Sequence, residues 1–334
     1  MVRILVTGTA GFIGFHLAQA LLDRGLTVIG VDNFNHYYAP ELKIARDQIL
    51  RKNKNFININ ADISNLVAVQ TIFRQCKPTV VCHLAAQAGV RYSLKNPYSY
   101  GQSNVQGFVN LIEQARINSI KRFVYASSSS VYGGNTKLPY DEDDRVDTPV
   151  SLYAATKRSN ELIAYTYTHL WKIQTIGLRF FTVYGPWGRP DMAYWSFFEA
   201  MRHGLPIKIF NHGKNQRDFT YIDDITKGVL SALKSENLDQ YEIINLGNNK
   251  PVGLMDFIST LEDLSGLKAI KEMVPAQPGD VVATYASIDK AAAKLDFKPT
   301  TLLREGLESF VKWYNDNASI VDAVRKFRLS NSNS

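Results

Sequence analysis

The first two thirds of the chain alternate short, fully apolar runs with longer amphipathic ones. Val2 to Thr7 is β-branched and short, and Thr27 to Val31 repeats the pattern before ending at Asp32. Phe56 to Asn60, Thr79 to Leu84, Arg122 to Ala126 and Lys172 to Phe181 follow in the same style. Runs without polar alternation are strands covered on both faces. Helical periods lie between them: a segment closed by Gly25, Pro40 to Lys52 (expected to be an exposed helix from its charges), Asn104 to Arg116, and a segment headed by Tyr153. Strand–helix alternation of this kind predicts an α/β fold, a doubly wound parallel sheet with right-handed crossovers. In such sheets ligands sit beyond the carboxyl ends of the strands, where Asp62, Ala86, Ser128 and Thr182 all fall.

Past Thr182 the rhythm loosens. Helices are predicted at Tyr194 to His203, Asp223 to Leu233, Leu254 to Leu264, Ile288 to Leu295 and Leu302 to Asn315, with strands at Ile207 to Phe210, Phe219 to Ile222 and Glu242 to Leu246. The tail, Arg328 to Ser334, is polar and expected to fray.

The first strand runs into Gly8-Thr9-Ala10-Gly11-Phe12-Ile13-Gly14 at the head of a helix. Glycines there permit a tight turn, close backbone approach to a pyrophosphate at the helix N-terminus, and close helix–strand packing. Asp32, at the end of the second strand, can accept bonds from both ribose hydroxyls and would repel a ribose phosphate, which favours NAD over NADP. Strand, glycines, helix, strand and acid in this order predict a dinucleotide-binding domain over residues 1–182, with 219–250 returning to it. Residues 183–218 and 251–334 then form a smaller, interleaved lobe.

Arg122 to Ala126 ends in four serines, Ser127 to Ser130, and Tyr153-Ala154-Ala155-Thr156-Lys157 opens the following helix. Positions i and i+4 share a helix face, so the Tyr153 phenol and the Lys157 ammonium are neighbours. A free phenol titrates near ~10, and a nearby cation favours its ionised form. Reaching ~7 requires about 4 kcal/mol, so Lys157 needs help from a second cation, and an oxidised nicotinamide is one. Taken alone, the same spacing also suits a half-buried tyrosine beside a snorkelling lysine.

Composition narrows little. The 334 residues are 45% hydrophobic and 21% charged, ordinary for globular chains. No apolar run reaches the ~18–20 residues of a membrane span, and Met1 leads straight into a strand, leaving no room for a signal peptide; a cytoplasmic protein is expected. Cys76 and Cys82 are expected to be reduced thiols, and the six histidines show no zinc-site spacing, so no metal is expected. The net charge of +7 is dispersed. It carries no nucleic-acid recognition motif and suits an anionic small-molecule substrate equally well.

With these residues in place, the chain resembles the extended short-chain dehydrogenase/reductase family throughout, and within it the sugar-nucleotide epimerases. The nearest match is to the UDP-glucuronate 4-epimerases, carried by Asp32-Asn33-Phe34-Asn35-His36-Tyr37-Tyr38, by His83 to Ser93 and by Phe180 to Ala193. The resemblance implies NAD as cofactor and a UDP-sugar as substrate. Tyr153 would be the base held by Lys157, and Ser128 the hydroxyl that bonds the sugar 4-hydroxyl. It implies cofactor contacts from Gly8, Gly11, Phe12, Ile13, Gly14, Asp32, Asn33, Asp62, Ile63, Leu84, Ala85, Ala86, Gln87, Asn104, Tyr153, Lys157 and Phe181. Arg217 would clamp the diphosphate, Asp280 would lie near the uridine ribose, and Arg91, Lys208 and Phe210 would wall the pocket. A homodimer through Asn104 to Arg116 and Tyr153 to Trp171 is also implied.

Two positions bear on the reaction. Related dehydratases carry Asp-Glu where this chain has Ser129 and Ser130, so no carboxylate stands ready to take a proton from carbon 5. Those serines, with Thr182 and Arg189, could instead hydrogen-bond a uronate carboxylate and keep it from leaving as carbon dioxide; they could equally cap and line a loop. The expectation is reversible 4-epimerisation of UDP-glucuronate to UDP-galacturonate through a 4-keto intermediate. The alternatives are a 4-epimerase of neutral or N-acetylated UDP-sugars, a UDP-glucuronate decarboxylase, and a catalytically silent NAD-binding regulator.

Overall fold

A computed structural model describes residues 2–276 and 282–332. Thirteen strands follow one another in the described residues: β1 Arg3–Thr7, β2 Thr27–Asp32, β3 Phe56–Asn60, β4 Val80–His83, β5 Arg122–Ser128, β6 Gln174–Phe180, β7 Thr182–Tyr184, β8 Pro206–Ile209, β9 Gln216–Tyr221, β10 Tyr241–Leu246, β11 Pro251–Gly253, β12 Ile270–Met273 and β13 Ala283–Thr284. Seven of them form one sheet in the order β10-β6-β5-β4-β1-β2-β3. Every pairing in it is parallel. The apolar runs explain the arrangement: Leu5, Val6, Val28, Ile29, Val81, Phe123 and Val124 are completely or almost completely buried, between helices on either face. The chain winds outward from β1 to β3, then returns to place β4 on the other side of β1. That reversal opens a crevice above the ends of β1 and β4.

β10 completes the far edge of this sheet, and the helix Ile222–Lys234 before it packs against Phe12–Leu22. β9 instead joins a small sheet with β7, β11 and β13, while β8 pairs with β12. Buried Asp218 holds β9 in place. Its carboxylate accepts backbone N–H bonds from Asn248, Asn249 and Ala286 at 2.6, 3.0 and 3.0 Å. An aromatic core of Tyr184, Trp195, Phe198, Phe219, Phe310, Trp313 and Tyr314 packs together apart from the large sheet.

Three expectations need correction. The helix Pro40–Leu50 is not an exposed one: Leu42, Lys43, Arg46, Asp47 and Leu50 are buried. Its charges misled because two of them point inward, to polar partners supplied by other segments. The stretch from Asn104 does not start a helix; helical backbone begins at Pro97, and a π-helical turn, Gly101–Gln106, precedes Gly107–Ile117. Of the tail, Arg328 to Ser332 continue a last helix, Ala318–Ser332, rather than leaving it; Arg328 to Asn331 are exposed, whereas Val321 and Val324, earlier in that helix, are buried in the aromatic core. No helix among the described residues is long and apolar enough to cross a membrane. Both cysteines are free, and burial pushes the Cys82 thiol up.

Candidate active site

One pocket lies over the crevice. The glycine loop, Asp32, Asn33, Asp62, Ile63, Leu84 to Ala88, Ser127, Ser128, Tyr153, Lys157, Phe181 and Arg189 all line it. At its floor Gly8 adopts a left-handed conformation (φ 79°) and lies so close to the turn after β4 that a Cβ there would stand 2.8 Å from the Ala85 nitrogen. A Cβ on Gly14 would meet the Gly8 carbonyl oxygen at 2.0 Å. The helix Phe12–Leu22 has no side-chain cap and no acid in its first turn. Its free N–H groups and dipole therefore favour an anion. Asp32 accepts N–H bonds from Ala10 (3.0 Å) and Phe34 (2.9 Å), and burial pushes its carboxyl up while Lys43 and those N–H groups act against the shift. A cradle without Cβ atoms, an open helix N-terminus and an acid at the second strand fit the pyrophosphate and ribose of a dinucleotide such as NAD.

Helix Leu152–Trp171 positions Tyr153 and Lys157. Ser151 caps it, its hydroxyl accepting the Ala154 N–H at 3.1 Å, so Tyr153 and Lys157 fall in its first two turns facing the crevice. The Ser128 hydroxyl, which bonds Ser130 within its own turn, lines the pocket with the Tyr153 phenol and is near enough to act on its titration. Burial nevertheless holds that phenol above its ordinary range, with Ser128 and the Arg189 charge pulling it down. Lys157 is not among the groups that lower it. Its ammonium donates to the Ala126 carbonyl at 2.8 Å, and burial brings its own pKa to about 8, against the opposing pull of Glu161. The protein alone thus leaves Tyr153 protonated, and a further positive charge against the phenol is what its ionisation requires.

The other expected residues divide. Asn104 stands behind the pocket rather than in it; its amide bonds the Gln87 backbone N–H and C=O at 2.8 and 3.0 Å and Thr156 at 3.1 Å, steadying the loop and the Tyr153 helix together. Ser130 donates its N–H, and Ser128 its hydroxyl, within one short turn, each at 3.2 Å. Ser129, Ser130 and Thr182 are half-buried and do not line the pocket, although their neighbours Ser128 and Phe181 do. Arg91 lies over the Phe210 ring at 4.9 Å, pairing two expected wall residues, and Lys208 is exposed nearby on β8. Arg217, on β9, donates to the Gln216 carbonyl at 2.8 Å. Asp280 lies outside the described residues.

Sequence reasoning missed a set of residues that the fold draws in from afar. Tyr37, Tyr38, Lys43 and Met192 line the pocket. Lys43 donates to the Asn35 carbonyl and side chain at 2.5 and 2.7 Å. Arg46, completely buried, donates to Ala10 O (2.7 Å), Tyr38 Oη (2.8 Å), Trp187 O (2.6 Å) and Gly188 O (2.9 Å). It thereby ties the glycine loop to the segment that carries Arg189. A signal was present: Lys43 and Arg46 share a helix face with Leu42 and Leu50. Among the described residues no cluster of three or more His, Cys, Asp or Glu could hold a metal.

A parallel doubly wound sheet, a dinucleotide cradle at its switch point and a Ser–Tyr–Lys set beside it define a nucleotide-dependent oxidoreductase scaffold. Residues 4–247 match the model of the NAD dependent epimerase/dehydratase family, and the chain belongs to that family. It is 49% identical over 329 residues to UDP-glucuronate 4-epimerase 4 of Arabidopsis thaliana, covering 94% of this chain and 75% of that protein. It is 47% identical over 328 residues to Protein CapI of Staphylococcus aureus, covering 93% and 98%. The crystal structure of UDP-glucuronic acid 4-epimerase from Bacillus cereus, in complex with UDP-glucuronic acid and NAD, superposes with a TM-score of 0.89 at 37% identity, covering 94% of this chain and 99% of that one.

Proposed function

We propose that this chain is an NAD-dependent 4-epimerase that interconverts UDP-glucuronate and UDP-galacturonate without decarboxylation. The observation that carries the reading is the meeting of Ser128, Tyr153 and Lys157 in the pocket lined by the glycine loop and Asp32; the likeness to UDP-glucuronate 4-epimerases supports the choice of sugar. NAD, when bound, supplies a reversible acceptor for the hydride of carbon 4. Tyr153 takes the proton of the 4-hydroxyl as that hydride leaves, and gives it back when the opposite face of the 4-keto sugar is reduced. Ser128 bonds the same oxygen throughout, and Lys157, anchored on the Ala126 carbonyl, adds a positive charge to the same pocket. Ser129, Ser130, Thr182 and Arg189 bond the carboxylate and disfavour its loss, charge-assisted bonds being worth about 1.5–3 kcal/mol each. Neither Ser129 nor Ser130 can act as a carbon-5 base, which supports epimerisation over dehydration. Arg217 and Asp280 are assigned to the nucleotide end.

Residues 1–182, with 219–250, would hold the cofactor; 183–218 and 251–334 would hold the sugar nucleotide. A homodimer through the helices Gly107–Ile117 and Leu152–Trp171 is supported by their outward Ile117, Leu162, Tyr165, Leu170 and Trp171, which are 44–56% exposed. Cytoplasmic residence is part of the same proposal.

The test is incubation of the purified protein with UDP-glucuronate and chromatographic separation of the products. UDP-galacturonate is the expected product. A UDP-pentose with released carbon dioxide, or turnover of UDP-glucose alone, would overturn the assignment, and no conversion of any UDP-sugar with NAD still bound would leave a regulator.

A further inference from the structure

Arg189 reaches the pocket from the loop after β7, and its guanidinium is already gripped from behind. Its Nε donates to one Asp191 carboxylate oxygen at 3.0 Å and its Nη2 to the other at 2.6 Å. Asp191 does not line the pocket, whereas Arg189 does. A guanidinium carries five N–H donors in a rigid fork. Two are spent on Asp191, and the other three, two of them forming the Nη1/Nη2 fork at the end of the group, meet no protein acceptor among the described residues.

Asp191 is itself held. The Tyr37 hydroxyl donates to it at 3.0 Å, across 154 positions of sequence. Tyr37 reaches that place because Gly89 (φ 104°) has no side chain: a Cβ there would stand 2.4 Å from the Tyr37 oxygen. The Tyr37 ring packs on Tyr92 at 4.8 Å, and Arg189 lies over its face at 5.9 Å. The Arg189 and Asp191 side chains are 22% and 33% exposed, so the pair is shielded but open on one side. Arg189 and Tyr153 line the same pocket, so the guanidinium shares a chamber with the phenol hydroxyl.

We propose that Asp191, braced by Tyr37, is a positioning residue that sets the preference for a carboxylated sugar by holding one edge of Arg189 so that the other faces the sugar carboxylate. The inference rests on the proposed uronate substrate and adds the residues that make Arg189 selective. An asparagine at 191 keeps the size but turns one acceptor into a donor that opposes the fork, releasing the guanidinium to rotate.

The experiment is calorimetric titration of the NAD-loaded protein with UDP-glucuronate and, separately, with UDP-glucose. In Asp191→Asn the affinity for UDP-glucuronate is expected to fall by about tenfold or more while that for UDP-glucose changes by less than about twofold. Tyr37→Phe is expected to shift the uronate alone by about threefold in the same direction. In an Arg189→Met background, Asp191→Asn is expected to add nothing, which a general loosening of the loop would not reproduce. A wild-type preference that survives Asp191→Asn, or tighter uronate binding in that variant, overturns this inference and leaves the proposed function standing. Equal binding of the two sugars by the wild type also overturns this inference, whereas the proposed function falls only if UDP-glucuronate is not converted to UDP-galacturonate.

Discussion

The Glu161 carboxylate and the Arg179 guanidinium form a bidentate pair at 2.8 and 3.0 Å, with side chains 0% and 2% exposed. The pair lies beneath the candidate active site and fastens three of its elements. Glu161 is one helical turn beyond Lys157, Arg179 is two residues before Phe181 on β6, and the Ser127 hydroxyl on β5 donates to Glu161 at 2.6 Å. Breaking one partner leaves an uncompensated buried charge. Glu161→Gln is expected to destabilise the fold by about 3–5 kcal/mol, and a double replacement by apolar residues of similar volume by less than either single change. Denaturant unfolding of the three variants checks this; additive losses would refute it.

Tyr153→Phe removes the proposed proton acceptor and keeps the ring, whose edge meets Tyr100 at 6.1 Å. Turnover of UDP-glucuronate is expected to fall by about 10²–10⁴-fold, the usual worth of a positioned acid–base group. Binding of the UDP-sugar, measured by calorimetry, is expected to persist. A Phe variant with near-native turnover would remove Tyr153 from the role.

Lys157 gives a pH dependence with a definite sign. Burial lowers its pKa to about 8, so its ammonium is lost as pH rises through that value. Turnover is expected to decline above about pH 8, and Lys157→Arg, which stays charged, is expected to abolish that alkaline limb whatever its effect on rate. In the cofactor-free protein the same shift acts on stability. The folded pKa lies below the unfolded value of 10.5, so the folded state carries a penalty of about 3 kcal/mol while both forms are charged. That penalty is relieved as pH rises from about 8 to 10.5, so the Lys157 contribution favours folding at the alkaline end and is lost as pH falls. Unfolding midpoints of wild type and Lys157→Met across that window test it; parallel curves would contradict it.

Gly14 has no room for a methyl group, since its Cβ would lie 2.0 Å from the Gly8 carbonyl oxygen, a backbone atom that cannot step aside alone. Gly14→Ala is expected to weaken NAD binding by about tenfold or more through displacement of the loop. Gly101→Ala, whose Cβ would meet nothing within 4 Å, serves as the comparison and is expected to change the affinity little. Fluorescence titration with NAD distinguishes them, and equal affinities would show that the glycine loop does not set cofactor binding.

The local part of this protein was legible in its residues. Strands buried on both faces declared themselves as apolar runs, and Gly8, Gly11, Gly14 and Asp32 declared the cradle, because their work depends on backbone shape within one βαβ unit. Tyr153 and Lys157 declared themselves through a spacing that any helix turns into a shared face. What only the tertiary structure decided was which polar groups face one another across long loops. Arg46 meets Trp187 and Gly188 from more than a hundred positions away, Tyr37 meets Asp191, and Glu161 meets Arg179 and Ser127. Charged residues on Pro40–Leu50 look like a solvated face in one dimension, because a sequence displays their charge but not the carbonyls and hydroxyls that compensate it. Local hydrogen bonding and periodicity act over a few residues and leave a written pattern, whereas burial of a charge is settled by partners that only chain folding brings within reach.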